Sequence, residues 1–473
     1  MTNRLVAGVD SSTQSTKVEV RELGSGRVVA RGSASHPATT PPRSEQDPES
    51  WWSAFETAWA AAGSPAVEAI SVAGQQHGMV VLDAQRQVIR PAKLWNDTET
   101  APDAGWLLKQ LPGGAADWAA AVGSVPVAAF TVTKLSWLHR SEPDNWERLT
   151  HVLLPHDWMT LRLTGQLVTD RGDASGTGYW SPTTGQYAAD ILAIIDKDRD
   201  WSAALPRVAG PTEVVGSWNG AAVACGTGDN MAAALGLGLQ PGVAVLSLGT
   251  SGTAYALSDH PTADASGAVA GFADAGGAYL PLACTLNATK VTDAIGRLLG
   301  VGHAEFDRLA LAAPAGAGGT TMLPYFDGER TPNLPKATGL LAGLRSDVSR
   351  EQLARAAVEG VVCGLLDALD ALGAQTPLTS VRLVGGGSRS AAFRHVVAEL
   401  CYLPVSVADA DEAVATGACV QAAAVASGID HREVAQRWGL GFSTSLEAPG
   451  GDPAGVRARY AALRTSTHPS TAS

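Results

Sequence analysis

The sequence lacks the features that announce the commonest nucleotide, metal and membrane sites. It contains no Gly-Lys pair, so a phosphate loop ending in Gly-Lys-Ser/Thr is excluded. No Gly-x-Gly-x-x-Gly follows a strand-like run, which removes the dinucleotide fingerprint. Neither His-Glu-x-x-His nor Gly-x-Ser-x-Gly occurs, so a helix-borne zinc protease site and a serine nucleophile elbow are unsupported. The five cysteines, Cys225, Cys284, Cys363, Cys401 and Cys419, are scattered and form no Cys-x-x-Cys. They indicate neither a disulfide framework nor a zinc cluster, and read as small buried hydrophobes in a reducing compartment. Basic residues form no block, and the net charge is -12. Phosphate backbones are held by clustered Lys and Arg, so no nucleic-acid partner is expected. No run of about 18 apolar residues appears, and the N-terminal apolar run stops at Asp10, short of a signal peptide. The expectation is a cytoplasmic protein without a membrane partner.

What is present is length, glycine and proline. With 473 residues the chain exceeds one compact core and suits two domains. The 52 glycines and 26 prolines fit an α/β protein with many tight turns. Leu5–Val9 reads as a strand running into the polar turn Asp10–Ser15, with further strands over Lys17–Arg21 and Arg27–Ser33. Pro48 suits a first helical turn, and Trp51, Phe55, Ala58 and Trp59 recur at helical spacing. Ala66–Val72 follows as a strand, with more helix between about Asp97 and Gly165. The second half opens the same way: the apolar run Val243–Leu248, the turn Gly249–Thr253, and a strand at Tyr255–Leu257. A long helix is expected from Ser349 as N-cap to Leu372, then a strand Ser380–Val384 ending in Gly385-Gly386-Gly387. Val405–Val407 reads as a strand, Gly417–Ser427 as an Ala-rich helix, and Thr465–Ser473 as a disordered tail.

Three turns suit phosphate chemistry. Small residues in Asp10–Ser15 and Gly249–Thr253 let backbone amides converge on oxygens, and the Thr13 and Thr250 hydroxyls add donors. Gly385, Gly386 and Gly387 allow a flat ligand to approach the backbone. The bland reading of each is an ordinary hairpin or βα turn. Asp10, a carboxylate at a strand end beside hydroxyls, has the chemistry of a hard-metal ligand. For Asp229, in Gly226-Thr227-Gly228-Asp229-Asn230, the bland reading is a helix N-cap and the sharper one a general base for a substrate hydroxyl, and the two are compatible. Gln76, His77, Trp95 and Asn96 offer the hydrogen-bonding groups that several sugar hydroxyls would need. His139, His151 and His156 are assigned to the framework.

These residues resemble a known family. The strand–Asp–hydroxyl turn at 8–17 is similar to the first phosphate loop of the actin-like ATPases. From the N-terminus to about residue 440 the chain resembles the FGGY carbohydrate kinases. Phe130-Thr131-Val132-Thr133-Lys134-Leu135-Ser136-Trp137-Leu138 nearly completes one family signature, with Ala129 and Ser141 departing from it. Gly339-Leu340-Leu341-Ala342-Gly343-Leu344 with Gln352–Glu359 matches the other throughout. Ser44–Trp52, Gln76-His77-Gly78, Leu94-Trp95-Asn96-Asp97 and Leu323–Pro332 are similar to the xylulose-specific members. Thr227 stands where many relatives carry glycine, and Ser12 precedes Thr13 where glycine is common.

The resemblance implies an α/β fold of two ribonuclease-H-like (actin-like ATPase) domains, each a mixed sheet flanked by helices, with a cleft between them. It places a sugar-binding N-terminal domain over 1–235 and a nucleotide-binding C-terminal domain over 236–445, with the boundary near residues 231–241. A C-terminal helix and disordered tail would fill 446–473. It implies ATP and Mg²⁺, with sugar near Gln76, His77, Trp95, Asn96, Asp229 and Asn230. Nucleotide would lie near Thr13, Lys17, Gly249, Thr250, Ser251, Gly385, Gly386 and Gly387, with Asp10 on the metal and Asp229 as base. D-Xylulose is the expected acceptor and a homodimer the family-level expectation. Competing readings are another acceptor (ribulose, gluconate or glycerol), a sugar sensor without catalysis, and an actin-type filament protein. Retention of both Asp10 and Asp229 speaks against the sensor, and the Gln76-His77 turn against the filament.

Overall fold

Leu5–Ser11 is buried almost throughout, because alternate side chains leave a strand on opposite faces and both faces are covered. Ala7 and Val9 pack with Trp51 and Phe55 of the helix Pro48–Ala61, whose N-cap is Asp47. Val6 belongs to a second cluster, with Val420, Ala422 and Ala423 of the helix Ala413–Ser427. In the computed structural model, which describes residues 4–450 and 453–469, this strand is central to a mixed sheet. The sheet runs Val214–Trp218, Ala221–Ala224, Ala69–Gly74, Leu5–Ser11, Ser15–Glu22, Val28–Ser35. The last three form an antiparallel meander, as the sequence suggests, while Leu5–Ser11 pairs in parallel with Ala69–Gly74.

The second sheet repeats that plan. Val243–Leu248 turns antiparallel into Gly252–Ala256 and pairs in parallel with Ser380–Val384. Val405–Ala408 extends it. Arg350–Gly373 packs on this sheet. Its cap is as expected: Ser349 Oγ accepts from the Gln352 amide at 3.3 Å, and Gln352 Oε1 accepts from the Ser349 amide at 2.9 Å.

The chain forms two compact units that are not the contiguous segments of a single cut near residues 231–241. The first comprises residues to Leu239 with Asp259–Leu280 and Ala410–Phe442; the second comprises Gln240–Ser258, Pro281–Asp409 and the segment from Ser443. The return of Ala413–Ser427 has a physical cause. It is alanine-rich on every side, so only a site enclosed all round can bury it. A Cβ on Gly8 would lie 2.2 Å from the Ala415 carbonyl oxygen, and one on Gly417 1.8 Å from that of Ala232. Backbones therefore touch where Ala413–Ser427 meets both Leu5–Ser11 and the helix Asp229–Gly236.

The C-terminal helix, Pro453–Thr467, extends further than the polar composition suggested, because Val456 and Tyr460 are buried and Tyr460 lies 3.1 Å from the Tyr325 hydroxyl. Thr465–Thr467 are thus helical, and residues 470–473 of the expected disordered tail lie outside the described residues. No single helix among the described residues is long and apolar enough to cross a membrane.

The helix crossing sets a stability prediction. Gly417→Val should cost about 1–3 kcal/mol or more by overpacking, seen as a lower urea midpoint. Gly24→Ala, with nothing within 4 Å of the added carbon, should leave the midpoint in place.

Candidate active site

The ends of the parallel strands Leu5–Ser11 and Ala69–Gly74 carry the chemistry of the first unit. Asp10 is the penultimate residue of the first strand, and the Gln75 amide donates to the Ser11 carbonyl at 3.1 Å just beyond the second. Thr227–Gly228 adds to the same edge, pairing with Ala73 and Gly74. Three turns are thereby gathered on one sheet: Asp10–Ser15, Gln75–His77 and Gly226–Asn230.

Asp10 is buried, and its Oδ1 accepts from Ser12 Oγ. Burial pushes its pKa up to about 6, against the Ser12 hydrogen bond and the Lys17 charge. Lys17 Nζ is bound to Glu412 Oε2 at 2.6 Å. Asp229 is partly accessible and is pushed to about 7, first by burial and then by the charges of Asp10 and Asp173. The N-cap alternative for Asp229 fails: Gly228 is the cap, and Asp229 is the first residue of the helix Asp229–Gly236. Its carboxyl is instead linked to the Gln75–His77 turn. Asn230 Nδ2 donates to Asp229 Oδ1 at 3.0 Å and to Gln76 Oε1 at 2.8 Å. Gln76 Nε2 is buried without a hydrogen-bond partner among the described residues, so a hydroxyl placed there would satisfy it.

His77 has φ of 66°, a left-handed backbone that an L-residue rarely adopts. Its ring is fixed: Nδ1 donates to the Gly176 carbonyl at 2.7 Å, and Phe130 and Phe272 pack at 4.9 and 5.5 Å between ring centroids. The Thr131 hydroxyl donates to the His77 carbonyl at 3.2 Å, so the Phe130–Leu138 signature acts here as the wall behind this turn. Trp95 joins the group through Thr13, donating from Nε1 to Thr13 Oγ1 at 2.8 Å, while Thr13 donates to Gln75 Oε1 at 3.2 Å. Asn96 Oδ1 is buried and lacks a hydrogen-bond partner among the described residues. Glu45, Asp97 and Glu99 converge closely enough to suggest a metal site. Lys93 Nζ already lies within 3.1 Å of all three and fills that role.

In the second unit, Gly249, Thr250, Gly386 and Gly387 line a cavity of about 1000 Å³. Nothing lies within 4 Å of a Cβ placed on Gly386, whereas one on Gly387 would strike Thr289 and Leu248 at 2.8 and 2.9 Å. Ser251 and Gly385 are not among the lining residues. Ser251 accepts the Gly249 amide at 3.0 Å to close the hairpin, and Gly385 turns with φ of 84° against the Leu248 carbonyl. The rest of the lining, including Thr289, Asp293, Arg297, Phe306, Arg389 and Phe393, carries no local motif and comes from helices brought together only by folding.

A second group went unread in the sequence. His156, assigned to the framework, is fully buried with Nδ1 2.7 Å from Asp173 Oδ2 and Nε2 3.2 Å from Asp157 Oδ1. Burial alone would lower its pKa, but the charges of Asp157, Asp173 and Asp170 hold it at about 9. Asp157 is raised to about 7 by burial, against the His156 charge. The available signal was a His-Asp pair inside the apolar stretch Leu153–Met159.

Comparison with known proteins shows the family. The model of the FGGY family of carbohydrate kinases, N-terminal domain, matches residues 5–245, and that of the C-terminal domain matches 244–426. The chain is 50% identical to the xylulose kinase of Streptomyces coelicolor, over 94% of this chain and 92% of that one. It is 49% identical to the xylulose kinase of Streptomyces rubiginosus, over the same shares. The crystal structure of xylulose kinase from Bifidobacterium adolescentis, 40% identical, covers 98% of this chain and 100% of its own with a TM-score of 0.87. The expected α/β architecture of two actin-like ATPase domains with mixed sheets holds.

The pKa shifts give a stability profile. Asp10, Asp157 and Asp229 ionise near pH 4 when unfolded and only at about 6 to 7 when folded, so the folded state binds more protons in that window. His156 works in the same sense: its contribution is complete below pH 6.5 and lost as pH rises through about 9. The thermal midpoint should therefore fall from pH 6.5 to 9, and fall less steeply in His156→Gln.

Proposed function

Because the chain belongs to the FGGY family of carbohydrate kinases, we propose that it transfers the γ-phosphoryl group of ATP to D-xylulose, giving D-xylulose 5-phosphate. The observation that carries the mechanism is the Gln76–Asn230–Asp229 chain: an accessible carboxyl, held by hydrogen bonds to a turn able to read hydroxyls. Support for the acceptor comes from the curated relatives, which are named xylulose kinases along nearly their whole length.

In this reading the sugar's terminal hydroxyl gives its proton to an Asp229 oxygen as it attacks phosphorus in line, and ADP leaves. Gln76, His77, Trp95, Asn96 and Asn230 hold the other hydroxyls. Thr250, Gly386 and Gly387 hold the nucleotide in the second unit's cavity, where the bare face of Gly386 leaves room for a flat base. Gly249, Ser251 and Gly385 shape that cavity's turns. Phosphoryl transfer depends mostly on such positioning and charge stabilisation. The residues also fit a divalent metal. Asp10 is a buried carboxyl whose desolvation a hard cation would offset; Lys17 pairs with it across the hairpin, and Thr13 follows in the same turn. Asp10 would hold Mg²⁺, which when bound offsets the negative charge of the phosphates. The substrates are soluble metabolites and the five cysteines form no disulfide, which supports a cytoplasmic enzyme.

An ADP-release assay over D-xylulose, D-ribulose, gluconate and glycerol tests the acceptor; turnover confined to D-xylulose is expected. Asp229→Asn should lower kcat by about 10²–10⁴-fold while sugar affinity, measured calorimetrically, stays within a few-fold. Turnover of the parent enzyme should decline below about pH 7 as Asp229 takes up its proton. Gly386→Val should raise the KM for ATP by roughly tenfold or more, since a filled cavity excludes the base, and leave sugar binding unchanged.

A further inference from the structure

Behind Asp229 lies a set of ionisable side chains that the reaction as written leaves unused. His156 sits among Asp157, Asp170 and Asp173, its Nε2 3.7 Å from Asp170 Oδ1 in addition to the two closer contacts. Buried ion clusters are costly to desolvate and often add little net stability, so their retention asks for another reason.

The surroundings of the imidazole supply one. A Cβ on Gly74 would stand 2.9 Å from His156 Cβ, and a Cβ on Gly226 would stand 2.7 Å from its Cδ2. Gly74 leads directly into Gln75–His77, and Gly226 leads directly into Thr227–Asp229. His156 is therefore packed against both turns where their strands pair, by its backbone and Cβ at Gly74 and by its ring at Gly226. The acidic partners hold the same two turns. Asp170 Oδ2 accepts from Thr227 Oγ1 at 2.7 Å and caps the short helix Arg171–Ala174 that carries Asp173. Two residues beyond that helix, Gly176 fixes the His77 ring.

We propose that the buried His156–Asp173 ion pair is a positioning device that holds the turn bearing Asp229 and the turn bearing Gln76 and His77 at one separation during phosphoryl transfer. The inference rests on the reading of Asp229 as the base. Its physical content is that a displacement of about 1 Å between base and acceptor can cost roughly 10²-fold in rate.

The test is the steady-state kinetics of full-length His156→Gln, Asp173→Asn, the double variant and His156→Lys, each checked for a folded circular dichroism spectrum. Each of His156→Gln and Asp173→Asn should lower kcat by roughly 10–100-fold and leave the KM for ATP within about twofold. The double variant should be no worse than the poorer single one, because either change already breaks the pair. His156→Lys, which keeps a cation, should recover most of the loss. Parent-like kcat in both single variants, additive losses in the double, or a lysine variant as poor as the glutamine one would each overturn the proposal. Should His156→Gln fail to fold, the near-isosteric Asp173→Asn and the lysine variant decide it alone. Asp229→Asn separates the two readings. If it retains turnover the base assignment fails, whereas its inactivity with unaffected His156 and Asp173 variants removes only the positioning role.

Discussion

The parallel pairing of Leu5–Ser11 with Ala69–Gly74 is the interaction on which the first unit depends. It runs from Val6 opposite Ala69 to Ser11 opposite Gly74, so both strands end at the same level. A strand end is where the backbone can leave the sheet, and here both strands leave it together. The turns that follow Asp10 and Gly74 meet for that reason, although some 65 residues separate them in the chain. A register slip of one residue would turn Asp10 to the opposite face and bring Val9 or Ser11 in its place.

Burial serves two ends around those strand ends. Desolvation raises both Asp10 and Asp229, and it brings Asp229 into the range where a carboxyl exchanges its proton near neutrality, as the proposed base requires. The same burial makes unpaired polar atoms expensive; Asn230 satisfies Gln76 Oε1 and Asp229 Oδ1 together, while Gln76 Nε2 is left for a ligand to satisfy. The site trades stability for a prepared arrangement, as buried polar groups at functional centres commonly do.

Local chemistry made much of this legible in advance. The hairpins, the Ser349 cap, the strand Ser380–Val384 and the turns carrying Asp10, Gln76 and Asp229 each announce themselves within a few residues, because turns and caps are decided locally. The helices that enclose the second unit's cavity do not, since Arg297 and Phe393 meet only through tertiary packing. His156 stays silent for a related reason: beside Asp157 in an otherwise apolar stretch it reads as framework, and its partners Asp170 and Asp173 join it only on folding. The Ala-rich helix Ala413–Ser427 was visible as a helix, but its destination was not. Nothing in its composition says that the cover it provides is for Val6 and Gly8, some 400 residues earlier.

That destination has a consequence for biosynthesis. A nascent chain that has emerged as far as Leu239 still lacks the helix that seals one face of its first sheet. At about 5–20 residues per second, the ribosome needs roughly 10–40 s more to deliver residues 410–442. During that interval Val6, Gly8 and Ala69 present an apolar face to the surroundings. The first unit to be translated is thus among the last to be finished, and its waiting state is the form of this protein most exposed to capture by chaperones or by other nascent chains.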